Sequence, residues 1–203
     1  MKACVFTLGC KMNEVESMSL WSGLEKLGYE VTDELCAADL YLLNTCAVTK
    51  EAEKKSRQAI ARLRKFNPLA PVVVFGCAAA HAPESFVKKE GVLFVSGAQG
   101  KDKVLALLGK EGVYPDSDER VFSELPAPKQ SKTRAFLRIQ DGCDNFCSYC
   151  IIPYLRGRSR SRSVQSILNE AECVTAKEIV LTGIDISSYR DGDTDLGGLL
   201  YAM

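Results

Sequence analysis

The sequence predicts an α/β protein in which a doubly wound parallel-sheet domain at residues 1–109 precedes the start of a second βα domain at 134–203. Short apolar runs alternate with helical stretches over the first part of the chain, and this βαβα order is typical of a parallel sheet covered on both faces. Three prolines, Pro115, Pro126 and Pro128, then interrupt the alternation. Residues 110–133 are therefore predicted to be a linker.

The elements of the first domain follow one another at short intervals. We predict strands at 3–7, 39–43, 72–75 and 92–95, and helices at 14–27, 49–66 and 101–108. Asn13 is expected to cap the first helix and Gly28 to end it. The second helix has small and apolar residues on one face, acids in its first turn and basic residues in its last, which matches the helix dipole.

The second domain opens with a strand at 135–140, a cysteine-rich loop, a helix at 164–174 and a strand at 178–182. About two βα units are too few to close a (β/α) barrel, and an unclosed parallel sheet exposes its edges. We therefore expect that the chain carries only the beginning of this domain.

The composition excludes several classes of function. Lysine plus arginine total 26 and aspartate plus glutamate also total 26, so no basic surface covers the whole chain. No apolar run approaches the roughly 18 residues of a membrane span, so we expect a cytoplasmic protein without a membrane partner. The single histidine, His81, argues against hydrolase triads and histidine-rich metal sites. Nine cysteines in a reducing compartment indicate metal binding, catalysis or packing.

The strongest local signal is a C-x3-C-x2-C motif formed by Cys143, Cys147 and Cys150. Three thiolates on one short loop can each bind one iron of a 4Fe–4S cube and leave the fourth iron open to a small molecule. A structural zinc site needs four ligands, and no fourth cysteine or histidine lies nearby in the sequence. The alternative is three cysteines that only pack or face solvent.

This motif resembles that of the radical S-adenosylmethionine enzymes, because an aromatic residue, Tyr149, precedes the last cysteine and a first barrel strand precedes the motif. The resemblance implies a partial (β/α) barrel and an open iron that binds S-adenosylmethionine beside Tyr149. One-electron reduction would then cleave the cofactor to methionine and a 5′-deoxyadenosyl radical.

A second group of cysteines, Cys10, Cys46 and Cys77, lies in the first domain, and each follows a predicted strand. Because the carboxyl ends of parallel strands lie at one edge of a sheet, the three side chains can converge there on a second cluster. Buried cysteines are common, so the pattern alone leaves simple packing open.

Nearly the whole chain resembles the methylthiotransferase family. The segments that carry this resemblance are residues 7–13, 44–49, 55–58, 76–78 and 141–162. The resemblance implies two 4Fe–4S clusters: Cys143, Cys147 and Cys150 would hold the radical-forming one, and Cys10, Cys46 and Cys77 the one that presents sulfur. The remaining cysteines, Cys4, Cys36 and Cys173, are expected to be packing residues.

Within the family, the Leu8-Gly9-Cys10-Lys11 start and the Lys55-Ser56-Arg57-Gln58 segment are most similar to one branch. That branch implies methylthiolation at carbon 2 of N6-threonylcarbamoyladenosine at tRNA position 37. Sister branches acting on isopentenyladenosine or a ribosomal-protein aspartate remain alternatives, and so does a non-catalytic iron–sulfur protein. The expected partners are a tRNA and a one-electron reductant of the flavodoxin or ferredoxin type, and we expect a monomer.

Two further predictions concern the second domain. Thr182 and Gly183 resemble the family's strand-end motif near S-adenosylmethionine, although Asp185 stands where asparagine or histidine is more usual. Between residues 129 and 162 we count eight basic and two acidic residues. A phosphate-facing patch for RNA is therefore expected, or else a solvated charge run. The residues predicted to form it are Arg156, Arg158, Arg160 and Arg162.

Overall fold

A six-stranded, all-parallel sheet forms the first part of the computed structural model, which describes residues 1–116, 120–128 and 133–203. Its strands are β1 (Lys2–Thr7), β2 (Glu30–Thr32), β3 (Leu40–Thr45), β4 (Val72–Gly76), β5 (Val92–Ser96) and β6 (Gly112–Tyr114). The helices between them are α1 (Lys11–Lys26), α2 (Lys50–Arg64), α3 (Cys77–His81) and α4 (Glu84–Val87).

The strand order is β2-β1-β3-β4-β5-β6, so the direction of winding reverses between β1 and β3. Leu20 and Leu24 of α1 pack on one face of the sheet, in the cluster that contains Val73. Ile60 and Leu63 of α2 pack on the opposite face. Helices on both faces of a parallel sheet confirm the predicted doubly wound domain. The reversal creates the crevice at the carboxyl ends of β1 and β3 where such folds place their sites.

Two ends of the first domain differ from the prediction. Helix α1 begins at Lys11, with Cys10 in extended conformation as its N-cap, so the expected cap Asn13 is wrong. Asn13 lies inside the helix because its side-chain nitrogen donates to the carbonyl oxygens of Leu8 and Thr45, at 2.8 and 3.0 Å.

The helix predicted at 101–108 is also wrong, since only a short 3-10 turn, Lys101–Lys103, forms there. The side chain of Lys101 is buried in an ion pair with Glu16, and this tertiary contact replaces helical packing. Strand β6 then pairs with β5, so the sheet extends past residue 109 into the segment predicted as a linker. Residues 117–119 and 129–132 of that segment lie outside the described part of the chain.

The second part of the chain is built on two parallel strands, β7 (Arg134–Arg138) and β10 (Glu178–Thr182). Ile167 of the intervening helix packs on Leu137 and Ile139. The other elements are β8 (Gln140–Asp141), α5 (Ile152–Arg156), β9 (Arg160–Ser161), α6 (Val164–Glu172), β11 (Arg190–Asp191), β12 (Thr194–Asp195) and α7 (Leu196–Ala202). Strands β8 and β9 pair antiparallel and enclose the cysteine-rich loop and α5. Among the residues that the structure describes, no helix is both long enough and apolar enough to cross a membrane.

Candidate functional site

The first group of cysteines lies at the carboxyl edge of the large sheet. Cys10, Cys46 and Cys77 follow β1, β3 and β4, which are neighbours in the sheet. Cys46 and Cys77 are buried, at 4% and 2% exposure, whereas Cys10 is exposed. The group therefore lies beside the reversal of strand order and is open to solvent on one side.

Contacts around Cys46 bring this group together. A β-carbon on Gly9, whose φ is +116°, would lie 2.8 Å from Cβ and 3.0 Å from Sγ of Cys46, so Cys46 packs on the backbone beside Cys10. Burial raises the pKa of the Cys46 thiol, and the charges of Cys77 and Cys10 raise it further. The contact with Gly9 thus places Cys46 beside Cys10. That the three cysteines bind a cluster stays a prediction.

Ser56 holds the backbone of Cys46 from the opposite side. The Ser56 hydroxyl is completely buried, and it accepts a hydrogen bond from the Cys46 amide at 3.2 Å. It also lies 3.2 Å from the Cys46 carbonyl oxygen and 2.8 Å from that of Ala52, either of which can accept its proton. The sequence marked Ser56 only as part of a family segment, and its placement on the buried face of α2 was the one signal of a structural role.

The second group of cysteines lies on the loop between β8 and α5. Its backbone is fixed by hydrogen bonds from the Cys143 amide to the Gly157 carbonyl at 3.1 Å and from the Cys150 amide to the Cys147 carbonyl at 2.9 Å. Gly142 is required at the start of this loop, because a β-carbon there would lie 2.0 Å from the Arg158 carbonyl oxygen. Cys147 is exposed, while Cys143 and Cys150 are half-buried.

Aromatic and charged side chains support the same loop. Phe146 has a φ of +46°, and its ring packs edge to face with Tyr154 at 5.4 Å between centroids. The Arg158 guanidinium lies 4.5 Å from the centre of the Phe146 ring and pairs with Asp144 at 3.3 Å. The side chain of Tyr149, predicted to lie near S-adenosylmethionine, is 90% exposed.

Gln140 joins the loop after β10 to the cysteine loop. Its side-chain oxygen accepts from the amides of Ile184 and Asp185 at 2.9 and 2.8 Å, and its nitrogen donates to the Gly142 carbonyl at 2.7 Å. A β-carbon on Gly183 would lie 2.9 Å from both Gln140 oxygens, so the two segments are in close contact. Sequence reasoning missed Gln140, which was only the last residue of a predicted strand.

The loop after β10 borders a cleft of about 510 Å³ beside the cysteine loop. Asn145 donates to the Asp185 carboxylate across this region at 3.0 Å, and Thr182 lies at the end of β10 opposite Arg138. The cleft is lined by Arg120, Asp144, Asn145, Ser159, Arg160, Ser161, Asp185, Ser188 and Arg190. This mixture of cations, carboxylates and hydroxyls is suited to a ligand that carries both charges.

The arginine run does not form the expected outward-facing patch. Arg156, Arg160 and Arg162 are buried, at 0%, 5% and 7% exposure, so these three do not form the predicted phosphate-facing patch. The physical reason is that each is paired with carboxylates. Arg160 bonds to Asp141 at 2.8 Å, and Arg162 bonds to Glu170 at 2.5 Å.

Of the four arginines, only Arg158 keeps an exposed side chain, with 49% of its surface open to solvent. Its ion pair with Asp144 offsets its charge, and this partner is 52% exposed. The second domain therefore offers less positive surface than its sequence indicates.

Arg156 is the centre of an ionic network between the two parts of the chain. Its guanidinium donates to Glu16 at 2.9 Å, to Asp141 at 3.0 Å and to the side-chain oxygen of Asn13 at 2.9 Å. Lys101 pairs with the same Glu16 carboxylate. The network joins α1 of the first sheet to β8 and α5 of the second part.

The charges of this network stabilise one another. Burial alone would raise the pKa of Asp141, but the guanidinium groups of Arg156 and Arg160 outweigh it and hold that pKa at about 2. Burial likewise opposes ionisation of Glu16, and Arg156 and Lys101 together lower the pKa of that carboxyl. Both acids are therefore ionised at neutral pH.

The network also lies beneath the first group of cysteines. Asn13 is 3.8 Å from the Cys10 sulfur, and the charge of Cys77 contributes, after Glu16 and Asp141, to a raised pKa for Arg156. The Nε atom of Arg156 is buried and has no hydrogen-bond partner among the described residues. Three cysteine thiols thus lie beside the buried Arg156 guanidinium, whose Nε–H has no acceptor in the described part of the chain. This chemistry fits a negatively charged group that thiolates would bind, such as an iron–sulfur cluster.

Within the described ranges, no three cysteine, histidine, aspartate or glutamate side chains lie close enough to hold one ion. The cysteines of a 4Fe–4S cube bind different irons, so they are farther apart than the ligands of one tetrahedral ion.

The remaining cysteines are not alike. Cys4 is fully buried, and burial together with the charges of Cys36 and Asp33 raises its pKa to about 11, as for a packing residue. Cys36 is half-buried. Cys173 is exposed at the end of α6, so its expected packing role is wrong.

Comparisons with known families divide the chain in the same order as the structure. Residues 2–97 match the family described as "Uncharacterized protein family UPF0004". Residues 137–201 match the radical SAM superfamily. The first match covers the sheet with its three cysteines, and the second covers the C-x3-C-x2-C loop.

Curated relatives match the chain over nearly its whole length. It is 39% identical over 201 residues to the threonylcarbamoyladenosine tRNA methylthiotransferase MtaB of Bacillus subtilis, covering 93% of this chain and 45% of that protein. The MtaB of Chlamydia pneumoniae is 38% identical over 95% of this chain and 45% of its own. The tRNA-2-methylthio-N(6)-dimethylallyladenosine synthase of Helicobacter pylori is 38% identical, over 93% and 45%. The chain spans about half the length of these relatives and corresponds to their amino-terminal part.

Replacing Arg156 by methionine is expected to destabilise the protein by about 3–5 kcal/mol, because Glu16 and Asp141 would stay buried without their shared cation. Urea unfolding of the cluster-free protein under anaerobic conditions measures this free energy. Arg158→Met is the matched control and should cost no more than about 1 kcal/mol, since that ion pair is exposed. An equal loss of unfolding free energy in the two variants would contradict the role of Arg156 as the shared partner of two buried carboxylates.

Replacing Ser56 by alanine is expected to cost about 1–3 kcal/mol, because the buried Cys46 amide loses its hydrogen-bond acceptor. The same unfolding measurement checks this value. Ser22→Ala serves as control, since the half-buried Ser22 hydroxyl donates to the Met18 carbonyl of its own helix. If Ser56→Ala lowers the free energy of unfolding no more than Ser22→Ala does, the hydrogen bond between Ser56 and the Cys46 amide does not stabilise the protein.

Proposed function

Since the chain belongs to the radical SAM methylthiotransferase family, we propose that it is the cluster-bearing part of a tRNA methylthiotransferase. The proposed reaction adds a methylthio group to carbon 2 of N6-threonylcarbamoyladenosine at position 37. The observation that supports it most is the presence of two separate cysteine triads, on the sheet edge and on the second-domain loop, joined through Arg156.

In this proposal, Cys143, Cys147 and Cys150 hold the cluster at which S-adenosylmethionine is reduced. A 4Fe–4S cluster with an open iron supplies one electron for cleavage of the cofactor's sulfonium bond. Thr182 and Gly183 begin the loop whose Asp185 and Ser188 line the cleft, and this loop forms the neighbouring wall of the proposed cofactor site. The hydrogen bonds of Gln140 to the amides that follow Gly183 keep this wall in register with the cysteine loop.

Cys10, Cys46 and Cys77 hold a second cluster in this proposal. The buried positive charge of Arg156 compensates the negative charge that three thiolates bring to the sheet edge. Hydrogen bonds hold the loops around these cysteines in place. Ser56 bonds to the Cys46 backbone, and Asn13 bonds to the carbonyl groups of Leu8 and Thr45. Rigid ligands favour binding because little conformational freedom is lost when the group enters.

The threonylcarbamoyl substrate is supported by the names of the Bacillus and Chlamydia relatives and by the residues at 8–11 and 55–58. The Helicobacter relative, at similar identity, favours dimethylallyladenosine as a second candidate. The proposal includes a tRNA substrate, a one-electron reductant of the flavodoxin or ferredoxin type, a cytoplasmic location and a monomeric state.

Nucleoside analysis of host tRNA distinguishes the two substrates. We expect that disrupting the gene removes the 2-methylthio form of N6-threonylcarbamoyladenosine. The 2-methylthio form of dimethylallyladenosine, which is the isopentenyl nucleoside, should be unchanged. Mass spectrometry of digested tRNA measures both nucleosides in one sample. Loss of the isopentenyl derivative alone would instead support the second candidate, and loss of neither would overturn both.

Paired cysteine substitutions test the two clusters. After anaerobic reconstitution, Cys46→Ala/Cys77→Ala should bind about half the iron of the unmodified protein and still form 5′-deoxyadenosine, because the radical site keeps its ligands. Cys147→Ala/Cys150→Ala should also lose about half of the iron but form no 5′-deoxyadenosine. Cys4→Ala/Cys173→Ala is the control and should keep all of it. Full iron content in either triad variant would contradict the assignment of its ligands.

A further inference from the structure

Helix α2 carries a line of exposed cations that no part of the proposed chemistry uses. We call this surface the α2 basic face. It is formed by Lys50, Lys54, Lys55, Arg62 and Lys65, all of them exposed. The end of this helix nearest the sheet edge follows Cys46 by four residues, so the face begins beside the first group of cysteines.

The cations share one side of the helix. At about 100° per residue, all five fall within an arc of about 140°, together with Gln58, Ala61 and a single acid, Glu51. The opposite side of α2 packs into the core of the sheet. Its buried residues are Ser56, Ala59, Ile60 and Leu63. The packing of that buried side fixes the direction in which the basic face points.

The salt bridges of α2 do not neutralise this face. Arg57 pairs with Glu53 of the same helix, and Arg64 pairs with Glu90 at 2.9 Å. All three α2 residues in these pairs lie outside the 140° arc, and within the described ranges no salt bridge joins any of the five cations to an acid. The Arg62 guanidinium lies 5.6 Å from the centre of the Phe6 ring, a contact that leaves its charge in place. On helix α1, in contrast, the exposed cation Lys11 is paired with Glu14 at 2.7 Å.

The position of this face matters because the arginine run at 156–162 is mostly turned inward. A chain with equal numbers of acidic and basic residues has little positive surface to offer a polyanion, and the run that the sequence favours is neutralised by buried carboxylates. Positive charge in a line on α2 is therefore the feature of the described surface best suited to phosphates.

We propose that the α2 basic face binds the phosphodiester backbone of the RNA substrate, an inference that rests on the proposed function. From Lys50 to Lys65 the face is about 22 Å long, which matches an extended polyanion better than a compact ligand. Ala61 is the one apolar residue in the arc, whereas a protein partner would need an apolar centre to its interface. Contacts of this kind position the substrate without reading its sequence.

Charge reversal on the face tests this proposal. Lys54 and Lys65 lie at the centre of the arc, and Lys54→Glu/Lys65→Glu should weaken binding of an unmodified tRNA transcript at least about tenfold at 0.1 M salt. The slope of log Kd against log salt concentration should fall by about 2, one for each phosphate contact removed. Fluorescence anisotropy with labelled tRNA between 50 and 200 mM salt measures both quantities on the reconstituted chain.

The matched control is Lys26→Glu/Lys110→Glu, which makes the same change in charge at two exposed positions on the α1 side of the sheet. It should keep the unmodified affinity within about twofold. Equal weakening in both variants, unchanged binding in the α2 variant, or no tRNA binding by the unmodified chain would overturn the proposal. It would also be overturned if the α2 variant lost affinity for an acidic flavodoxin but not for tRNA.

A second readout separates this proposal from the function on which it rests. Formation of 5′-deoxyadenosine without tRNA is measured in the same three preparations. The amount should be equal in all of them, because the α2 basic face is remote in sequence from the loop with Cys143, Cys147 and Cys150 and carries no proposed cluster ligand. If the unmodified protein forms 5′-deoxyadenosine and the α2 variant binds tRNA normally, only the proposal for the face fails. If no preparation cleaves S-adenosylmethionine, the proposed function fails irrespective of tRNA binding.

Discussion

The buried guanidinium of Arg156 is the constraint on which the arrangement of this protein depends. A cation with no solvent exposure is stable only when carboxylates and carbonyl groups replace the water it has lost. Glu16 and Asp141 supply that replacement, and they lie on α1 of the first sheet and on β8 of the second part. Arg156 thus ties the two parts of the chain together, because it is the cation that the two carboxylates share. Lys101 also pairs with Glu16 within the first part, and Arg160 also pairs with Asp141 within the second.

The same network links the two groups of cysteines. Asn13, bonded to Arg156, lies one turn of helix after Cys10, and Asp141 lies two residues before Cys143. The orientation of each group is therefore coupled to a shared ionic centre rather than to its own loop alone. In the proposed enzyme this coupling would keep two reactive centres at a constant separation, so that a substrate bound between them could meet both.

Much of this organisation could be predicted from the sequence, since apolar runs and helical periodicity are local properties. The cysteines that follow β1, β3 and β4 were predicted to share an edge because parallel strands end together. Strand β6 was missed because three residues carry too little pattern. The burial of Arg156 was missed because Glu16, one of its partners, is distant in the sequence. Arg156 and Glu16 are 140 residues apart, so no local rule could show that this charge is buried.

Electron paramagnetic resonance of the reduced, anaerobically reconstituted protein tests most directly whether two separate centres exist. Spectra are recorded with and without S-adenosylmethionine. Two distinct 4Fe–4S signals are expected. Only the signal of the cluster on Cys143, Cys147 and Cys150, whose open iron would bind S-adenosylmethionine, should change shape when that cofactor is added. A single signal, or two signals that respond identically to the cofactor, would contradict the division of the six cysteines into a radical-forming site and a sulfur-presenting site.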